Sequence, residues 1–276
     1  MSIPDRPGTP ERTIPEQEGL QAGPWASGAG GSDPAERIIL ALDRPDADSA
    51  LALVDLIPEL RWVKVGLELF TSVGPDMVTH LRQRGLRVFL DLKFHDIPAT
   101  MAGACGSAAR LGAELITVHA CSGSDALAAA QRSASAAASE ANLSSPTVLA
   151  VTVLTSWDPI EFTSQLAIRE SVEDHVSRLA ALAARAGIGG VVCSPLEVAG
   201  LRRRHPEPFA LITPGIRPAW AGRGDQRRVM GPSEAARAGA SRLVIGRPIH
   251  AADDPRRRFL QCCAELEQIG GASPAG

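Results

Sequence analysis

Lysine is almost absent from this chain of 276 residues. Lys and Arg together number 28, but only Lys64 and Lys93 are lysines, and both lie in apolar runs, WVKVG and FLDLKFHD. Arg is a planar fork that stays charged, whereas Lys is a point charge that can be desolvated and can give up a proton. Snorkelling at strand ends is the alternative interpretation. The nearby Asp91 and Asp96 disfavour it, since buried charges are usually paired. The two lysines are therefore predicted to take part in a catalysed reaction rather than to lie at strand ends by chance.

Other features that the sequence lacks exclude whole classes of protein. The five cysteines form no CxxC pair or zinc-ligand spacing, and their odd number favours reduced, cytosolic thiols. There is no apolar run of about 18 residues and no signal-peptide pattern, so we expect a cytoplasmic protein that does not bind membranes. A net charge of -3 and a pI near 6.1 leave no basic surface for nucleic acid.

The length and composition suit one large α/β domain or two small ones, between two tails. The hydrophobic content of the chain is 45%, enough for a substantial core. Residues 1–35 are rich in Pro, Gly, Ser, Glu and Ala without apolar periodicity, and 271–276 read GASPAG. Such segments cannot offset the entropy of ordering. We therefore expect disordered tails at 1–35 and 271–276 around a catalytic domain at 36–270.

Short apolar runs alternate with segments of helical period. The predicted strands are 38–43, 62–66, 87–93, 115–120, 148–154, 190–194, 210–214 and 242–246. The predicted helices are 46–58, 75–85, 98–112, 124–138, 171–187, 195–204, 232–239 and 255–270. Nearly continuous apolar strands indicate a parallel sheet covered on both faces. The pattern predicts an α/β protein, a single-domain (β/α)8 TIM barrel. An open doubly wound sheet is the alternative, but no G-x-G-x-x-G follows the first strand.

Polar residues fall at the carboxyl ends of the predicted strands, where barrel active sites form. They are Asp43, Lys64, Asp91, Lys93, His119, Thr155, Ser156, Arg217 and Arg247. Asp91 and Lys93 are two apart on one strand and should share a face, with Asp96 in the following loop. A structural ion pair would explain Asp91 and Lys93 alone, but not the addition of Lys64 and Asp43.

Eight separated motifs resemble those of the orotidine 5′-monophosphate decarboxylase family, over residues 38–266. They are ALD at Asp43, K-x-G at Lys64, DLKFHDIPAT at 91–100, VHA at His119, VLTS at Thr155, TPGIRP at Arg217, GDQRRVM at Gln226 and VIGRPI at Arg247. The resemblance implies conversion of orotidine 5′-monophosphate (OMP) to UMP and CO2 in de novo pyrimidine biosynthesis. It implies neither cofactor nor metal.

The resemblance implies a catalytic role for each charged residue. Loss of CO2 from C6 leaves an electron pair in the ring plane, which the π system cannot delocalise. Lys93 would stabilise that charge and then protonate C6. Asp91 and Asp96 would orient Lys93 and face the departing carboxylate. Lys64 would complete the charge array and contact the ribose.

The remaining family positions imply substrate binding and a homodimer. Asp43 would bind a ribose hydroxyl. Asp96, Ile97 and Thr100 would reach the neighbouring subunit's site, so that two subunits share each active site. Thr155 and Ser156 would contact the pyrimidine edge, although a Thr-Ser pair is in general more often a helix cap.

The positions implied for phosphate are Arg217, Gln226, Gly246 and Arg247, after the last two strands, where many barrels bind phosphate. A solvated surface arginine is the alternative for Arg217 taken alone. Loops at 155–170 and 217–230 are expected to close over the substrate. Two roles are considered for His119, a catalytic base and a buried structural histidine, and the second is favoured.

Two rival interpretations remain. A sister keto-sugar-phosphate enzyme would share the D-x-K-x-x-D strand but use Mg²⁺, which a lysine at position 64 would repel. A phosphate-ligand-binding barrel without catalysis would not need Lys93 between two aspartates.

Overall fold

The computed structural model describes residues 33–221 and 229–270. The strands are β1 (Ile38–Ala41), β2 (Trp62–Gly66), β3 (Arg87–Phe94), β4 (Leu115–His119), β5 (Thr147–Val151), β6 (Gly190–Val192), β7 (Ala210–Thr213) and β8 (Arg242–Ile245). The helices are α1 (Ala47–Asp55), α2 (Leu67–Val73), α3 (Asp76–Gln83), α4 (Pro98–Arg110), α5 (Ser124–Glu140), α6 (Pro159–Leu166), α7 (Val172–Arg185), α8 (Val198–Arg204), α9 (Pro232–Arg237), α10 (Arg247–His250) and α11 (Pro255–Gly270). Short 3₁₀ helices span Pro34–Arg37, Ala120–Ser122 and Pro195–Glu197.

The eight strands form a closed parallel barrel in chain order, in which β8 pairs with β1. Each strand begins within two residues of its predicted first residue, and several strands end earlier than predicted. The predicted (β/α)8 barrel is confirmed. Because all strands are parallel, their carboxyl ends meet at one rim, which is where the predicted site residues were expected to gather.

The apolar residues divide into two layers. Inside the barrel, a small cluster includes Ile39, Trp62, Phe89, Leu115 and Leu149. A much larger cluster fills the space between the outer face of the barrel and the helices. This burial on both faces is the reason why the strands read as continuous apolar runs.

Several elements differ from the sequence-based prediction. The helices α2, α6 and α10 were not predicted, and α6 occupies the middle of the predicted 155–170 loop. That segment is therefore not a long loop. Residues 34 and 35 were assigned to the tail but belong to a 3₁₀ helix, with Ala35 buried. The predicted tail residues 1–32 and 271–276 lie outside the described residues.

The alanine-rich segment after residue 123 forms α5, which packs closely against α4. All but one of its buried residues are alanines, among them Ala126, Ala130 and Ala134. Gly106 of α4 faces Ser133, whose Oγ donates a hydrogen bond to the Ala102 carbonyl at 2.7 Å. Small residues on both helices let the two backbones approach.

A charged network closes the amino-terminal end of the barrel. The Trp62 ring is fully buried and donates Nε1–H to Glu36 Oε2 at 3.0 Å. Arg87 and Arg242 stack on the ring, 4.1 and 4.6 Å from its centroid. Arg87 also pairs with Glu114 at 2.6 Å. Burial lowers the pKa of Arg242 to about 10. This end of the barrel is occupied by structural contacts.

No helix in the described ranges, 33–221 and 229–270, is long and apolar enough to cross a membrane.

Candidate active site

Four charged side chains form a continuous chain of alternating sign at the carboxyl rim. Lys64 Nζ lies 3.2 Å from Asp43 Oδ1 and 3.5 Å from Asp91 Oδ2. Lys93 Nζ lies 2.9 Å from Asp91 Oδ1. The structure thus brings together Asp43, Lys64, Asp91 and Lys93, contributed by the turn after β1 and by strands β2 and β3. Both lysines of the chain are in this array.

The two central members of the array, Lys64 and Asp91, are strongly coupled, and their side chains are only 12% and 10% exposed. Burial alone would raise the pKa of Asp91, but the charges of Lys64 and Lys93 outweigh it, helped by hydrogen bonds from Lys93 and Thr117. The pKa of Asp91 therefore lies below its ordinary value. Burial alone would lower the pKa of Lys64, yet the carboxylates of Asp91 and Asp43 raise it. Both groups are charged at neutral pH.

The strand that carries Asp91 and Lys93 is irregular where they lie. Leu90 pairs with Ile116 and Phe94 pairs with Val118, so β3 holds two more residues than β4 between these pairs. Lys93 has a φ of 51°, the left-handed region that costs a non-glycine residue roughly 1–3 kcal/mol. The predicted shared face rested on a regular strand, whereas the observed pairing of these two side chains occurs within a bulge.

Thr117 of β4 spans this bulge and was missed by the sequence reasoning. Its hydroxyl donates to Asp91 Oδ1 at 3.0 Å and accepts the backbone N–H of Lys93 at 2.9 Å. The side chain is fully buried. A polar residue inside the apolar run LITVH, two positions before His119 and so on the same face, was the available signal.

His119 lies at the end of β4, half-buried, with its ring centroid 5.5 Å from that of His95. Burial, followed by the charges of His95 and Lys93, lowers the pKa of His119. The imidazole is therefore mainly neutral at neutral pH.

A cavity of about 210 Å³ opens beside the charge array. Lys64, Asp91 and Lys93 form its charged wall. The rest of its lining is largely apolar and consists of Phe89, Val151, Val153, Leu154, Thr155, Val192, Cys193, Pro214 and Val244. Thr155 thus lines the same cavity as the charge array, while Ser156 is exposed and is not part of this lining. An apolar chamber with charges on one wall suits a flat, partly polar ring.

A second depression, of about 280 Å³, is rich in arginine. Arg217, Arg247 and Arg258 line it together with Trp220. The Arg258 guanidinium stacks 4.3 Å from the centre of the Trp220 ring. The backbone N–H of Arg217 donates to the Met230 carbonyl at 3.0 Å, which holds the segment after β7. Gly246 follows the end of β8 and directly precedes Arg247, the first residue of α10. Gln226 lies outside the described residues.

The predicted residues Asp96, Ile97 and Thr100 lie apart from the array. All three are exposed, and Ile97 retains 66% of its accessible surface. The Asp96 carboxylate accepts the Ile97 N–H at 2.7 Å and forms no ion pair with any described residue of this chain. Within one chain, therefore, Asp91 contacts Lys93 and Asp96 does not.

Gly66 is a further residue whose importance the sequence reasoning did not state. A Cβ at this position would lie 3.0 Å from Lys64 Nζ and 3.8 Å from Asp43 Oδ1. The glycine of the K-x-G motif thus leaves space for the Lys64–Asp43 ion pair.

A larger groove of about 440 Å³ lies on the outer wall, near α7 and α8. Arg203, Arg204, Glu173 and Glu197 are its charged lining residues. It lacks the lysines and the alternating array, so chemistry rather than volume identifies the smaller cavity as the candidate site. No group of three or more His, Cys, Asp or Glu that could hold a metal ion occurs among the described residues.

The family model described as "Orotidine 5'-phosphate decarboxylase / HUMPS family" matches residues 36–261. The chain belongs to this family. The resemblance drawn from the eight motifs is confirmed.

Relatives within the family cover nearly all of the barrel. An orotidine 5'-phosphate decarboxylase of Parasynechococcus marenigrum (strain WH8102) is 63% identical over 235 residues, 85% of this chain and 96% of that protein. One of Prochlorococcus marinus (strain MIT 9211) is 55% identical over 235 residues, 85% of this chain and 98% of that protein. The crystal structure of orotidine 5'-phosphate decarboxylase from Lactobacillus acidophilus matches with a TM-score of 0.74 and 36% identity. That match covers 83% of this chain and 98% of the other.

Proposed function

We propose that this chain is a carboxy-lyase that converts OMP to UMP and CO2 in pyrimidine biosynthesis. The observation that carries the proposal is the alternating array Asp43–Lys64–Asp91–Lys93 on one wall of an apolar cavity. Membership of the family and relatives named as orotidine 5'-phosphate decarboxylases support it.

The chemistry requires a fixed positive charge at C6. When CO2 leaves, the electron pair at C6 lies in the ring plane, and Lys93 is the proposed group that stabilises it. The same ammonium then transfers its proton to C6, so that no further acid is needed. Asp91 holds Lys93 and carries its charge close to the position of the departing carboxylate. Because the array is preorganised, little reorganisation is needed during the reaction.

The other groups are proposed to bind the rest of the nucleotide. Lys64 and Asp43 contact the ribose, and Thr155 and Ser156 contact the pyrimidine edge. The phosphate is bound by the arginine-rich depression and the backbone at the end of β8. The proposed phosphate residues are Arg217, Gln226, Gly246 and Arg247. Arginine forks suit phosphate oxygens, and remote binding energy of this kind favours the transition state at C6.

We further propose a homodimer in which Asp96, Ile97 and Thr100 complete the partner's site. The support is their exposure, the large apolar surface of Ile97, and the absence of an ion-pair partner for Asp96 among the described residues of its own chain. Lys93→Ala and Asp96→Asn proteins, each nearly inactive, should regain about a quarter of wild-type activity when unfolded and refolded together, since one site of each mixed dimer is intact. No recovery would contradict shared sites.

A cytoplasmic location is proposed because the five cysteines are free thiols, four of them buried. Reduced thiols are the usual state in that compartment.

The decisive experiment is the loss of orotate-type ultraviolet absorbance after OMP is added to metal-stripped protein. We expect full activity without added metal, and loss of about 10³-fold or more in Lys93→Ala, which removes the proposed acid and electrostatic group. Activity that requires Mg²⁺ would instead favour the keto-sugar-phosphate reaction. Binding of UMP without turnover would favour a non-catalytic barrel.

A further inference from the structure

The Thr117 hydroxyl has only one arrangement compatible with both of its hydrogen bonds. The backbone N–H of Lys93 can only donate, so it occupies a lone pair of the hydroxyl oxygen. The hydroxyl hydrogen is then directed to Asp91 Oδ1, which as a carboxylate oxygen can only accept. The two bonds therefore fix the rotation of the Thr117 side chain.

These bonds link the backbone of Lys93 to the carboxylate that holds its own ammonium. Asp91 Oδ1 receives both the Thr117 hydroxyl at 3.0 Å and Lys93 Nζ at 2.9 Å, while Oδ2 faces Lys64 at 3.5 Å. With Oδ1 held by Thr117, rotation of the carboxylate would break a bond. Each oxygen of Asp91 thus stays opposite a different lysine.

The hydrogen bond from the Lys93 backbone N–H to Thr117 stabilises the strained backbone conformation of Lys93. In the bulge between Leu90 and Phe94, β3 leaves the regular ladder, and Lys93 adopts a φ of 51°. A non-glycine residue persists there only when its surroundings fix it. The hydroxyl of Thr117 takes the place of the missing ladder acceptor for the Lys93 N–H.

We propose that Thr117 is a positioning residue that holds Lys93 and Asp91 in register for proton delivery to C6. Thr117 acts through these two residues, since it is fully buried and is not among the residues that line the cavity. The inference rests on the proposed function.

The test replaces the hydroxyl while keeping the shape of the side chain. In Thr117→Val, kcat for OMP should fall about 10- to 100-fold, the size of effect that follows loss of one hydrogen bond to a charged group. KM should change by less than about threefold, because phosphate and ribose contacts are untouched. Thr117→Ser, which keeps the hydroxyl, should recover most of kcat.

Thr152→Val is the matched control. Thr152 is a buried threonine just past β5, and its hydroxyl donates to the Val192 carbonyl at 3.1 Å rather than to the array. Its replacement should lower the melting temperature without lowering kcat. If Thr117→Val does not fold, Thr117→Ala is measured with the same assays.

Hydrogen exchange at the Lys93 amide gives a readout independent of catalysis. It should become about tenfold faster or more in Thr117→Val and stay unchanged in Thr117→Ser. Inactive wild-type protein would refute the proposed function, while the exchange result would still test Thr117. An active wild type with unchanged kcat and unchanged exchange in the valine variant would overturn the inference.

Discussion

At the scale of single residues, the array depends on space as much as on charge. Lys64 Nζ contacts both Asp43 and Asp91, so a small displacement of it affects two ion pairs. Ammonium is compact enough for this arrangement, whereas a guanidinium fork needs a wider space. This accounts for lysine at positions 64 and 93 in a chain that otherwise uses arginine.

Gly66→Ala tests this dependence on space. Gly66 has a φ of -94°, which alanine adopts without strain, but its Cβ would lie 3.0 Å from Lys64 Nζ. We expect kcat/KM for OMP to fall about tenfold through displacement of the ammonium. Thermal unfolding should change little, because the end of a flexible side chain can move. Gly200→Ala, where no atom of the described part of the chain lies within 4 Å of the new Cβ, is the control. Equal activity in both variants would contradict the proposal that the Lys64 ammonium needs the space left by Gly66.

The lowered pKa of Asp91 predicts a pH-dependent contribution to stability. A carboxyl whose pKa is lower in the folded protein stabilises it above the pKa of the unfolded chain, and the contribution is lost as pH falls through the folded value. The urea midpoints of wild type and Asp91→Asn should therefore differ by a constant amount from about pH 8 to about pH 5 and converge below it. A gap that stayed constant down to pH 3 would show that Asp91 is not coupled to the lysines.

At the scale of elements, the strands were predictable and several short helices were not. Strands such as β2 and β4 are buried on both faces, so their apolar runs mark their positions directly. α2 begins at Leu67 directly after β2 without a side-chain cap, and it gives little local signal. α6 did have a signal, Asp158 before Pro159, with the Asp158 side chain accepting the Ile160 N–H at 2.9 Å.

The site was predictable to the extent that it consists of charged strand ends. Asp43, Lys64, Asp91 and Lys93 were found because charge is rare in apolar runs. The bulge in β3 was not, since register shifts arise from pairing between strands rather than from local sequence. The contact of Thr117 with Lys93 depends on that bulge, which is why a threonine in β4 gave only a weak signal.

The packing of α4 on α5 predicts opposite effects for two glycines of one helix. A Cβ at Gly106 would lie 2.8 Å from Ser133 Oγ, whereas a Cβ at Gly103 would have no described atom within 4 Å. Gly103→Ala should stabilise the protein by about 0.5–1 kcal/mol through helix propensity. Gly106→Ala should destabilise it by about 1–2 kcal/mol, because the Ser133–Ala102 hydrogen bond is disturbed. Urea unfolding measures both, and stabilisation by both would contradict this packing.

At the scale of the whole molecule, the side chains inside the barrel change along its axis from an apolar layer to the charged and polar residues of the candidate site. Trp62, Phe89 and Leu115 form part of its apolar interior. Two residues further along the same strands lie Lys64, Asp91 and Thr117, which contact one another at the carboxyl rim. The period of two that directs side chains inward therefore produces an apolar layer and then a polar one. Structural contacts therefore occupy the amino-terminal end of the barrel, and the candidate site occupies the carboxyl end.

Glu36→Gln tests this separation. Glu36 accepts from Trp62 Nε1, and its Oε2 lies 3.4 Å from Arg87 and 3.8 Å from Arg242. Glutamine keeps the shape but leaves Arg242, mostly buried, without its carboxylate, so the free energy of unfolding should fall by about 1–3 kcal/mol. kcat and KM for OMP should stay at wild-type values below the unfolding transition, because the network lies at the end of the barrel opposite the array.

Glu59→Gln is the matched control for Glu36→Gln. Glu59 pairs with Arg256, whose side chain is 53% exposed, and water replaces such an interaction readily. Its urea midpoint should shift less than that of Glu36→Gln. A loss of kcat in Glu36→Gln comparable to its loss of stability would mean that the two ends are coupled. The Glu36 network and the charge array would then belong to one cooperative unit, and a change at either end of the barrel would affect the other.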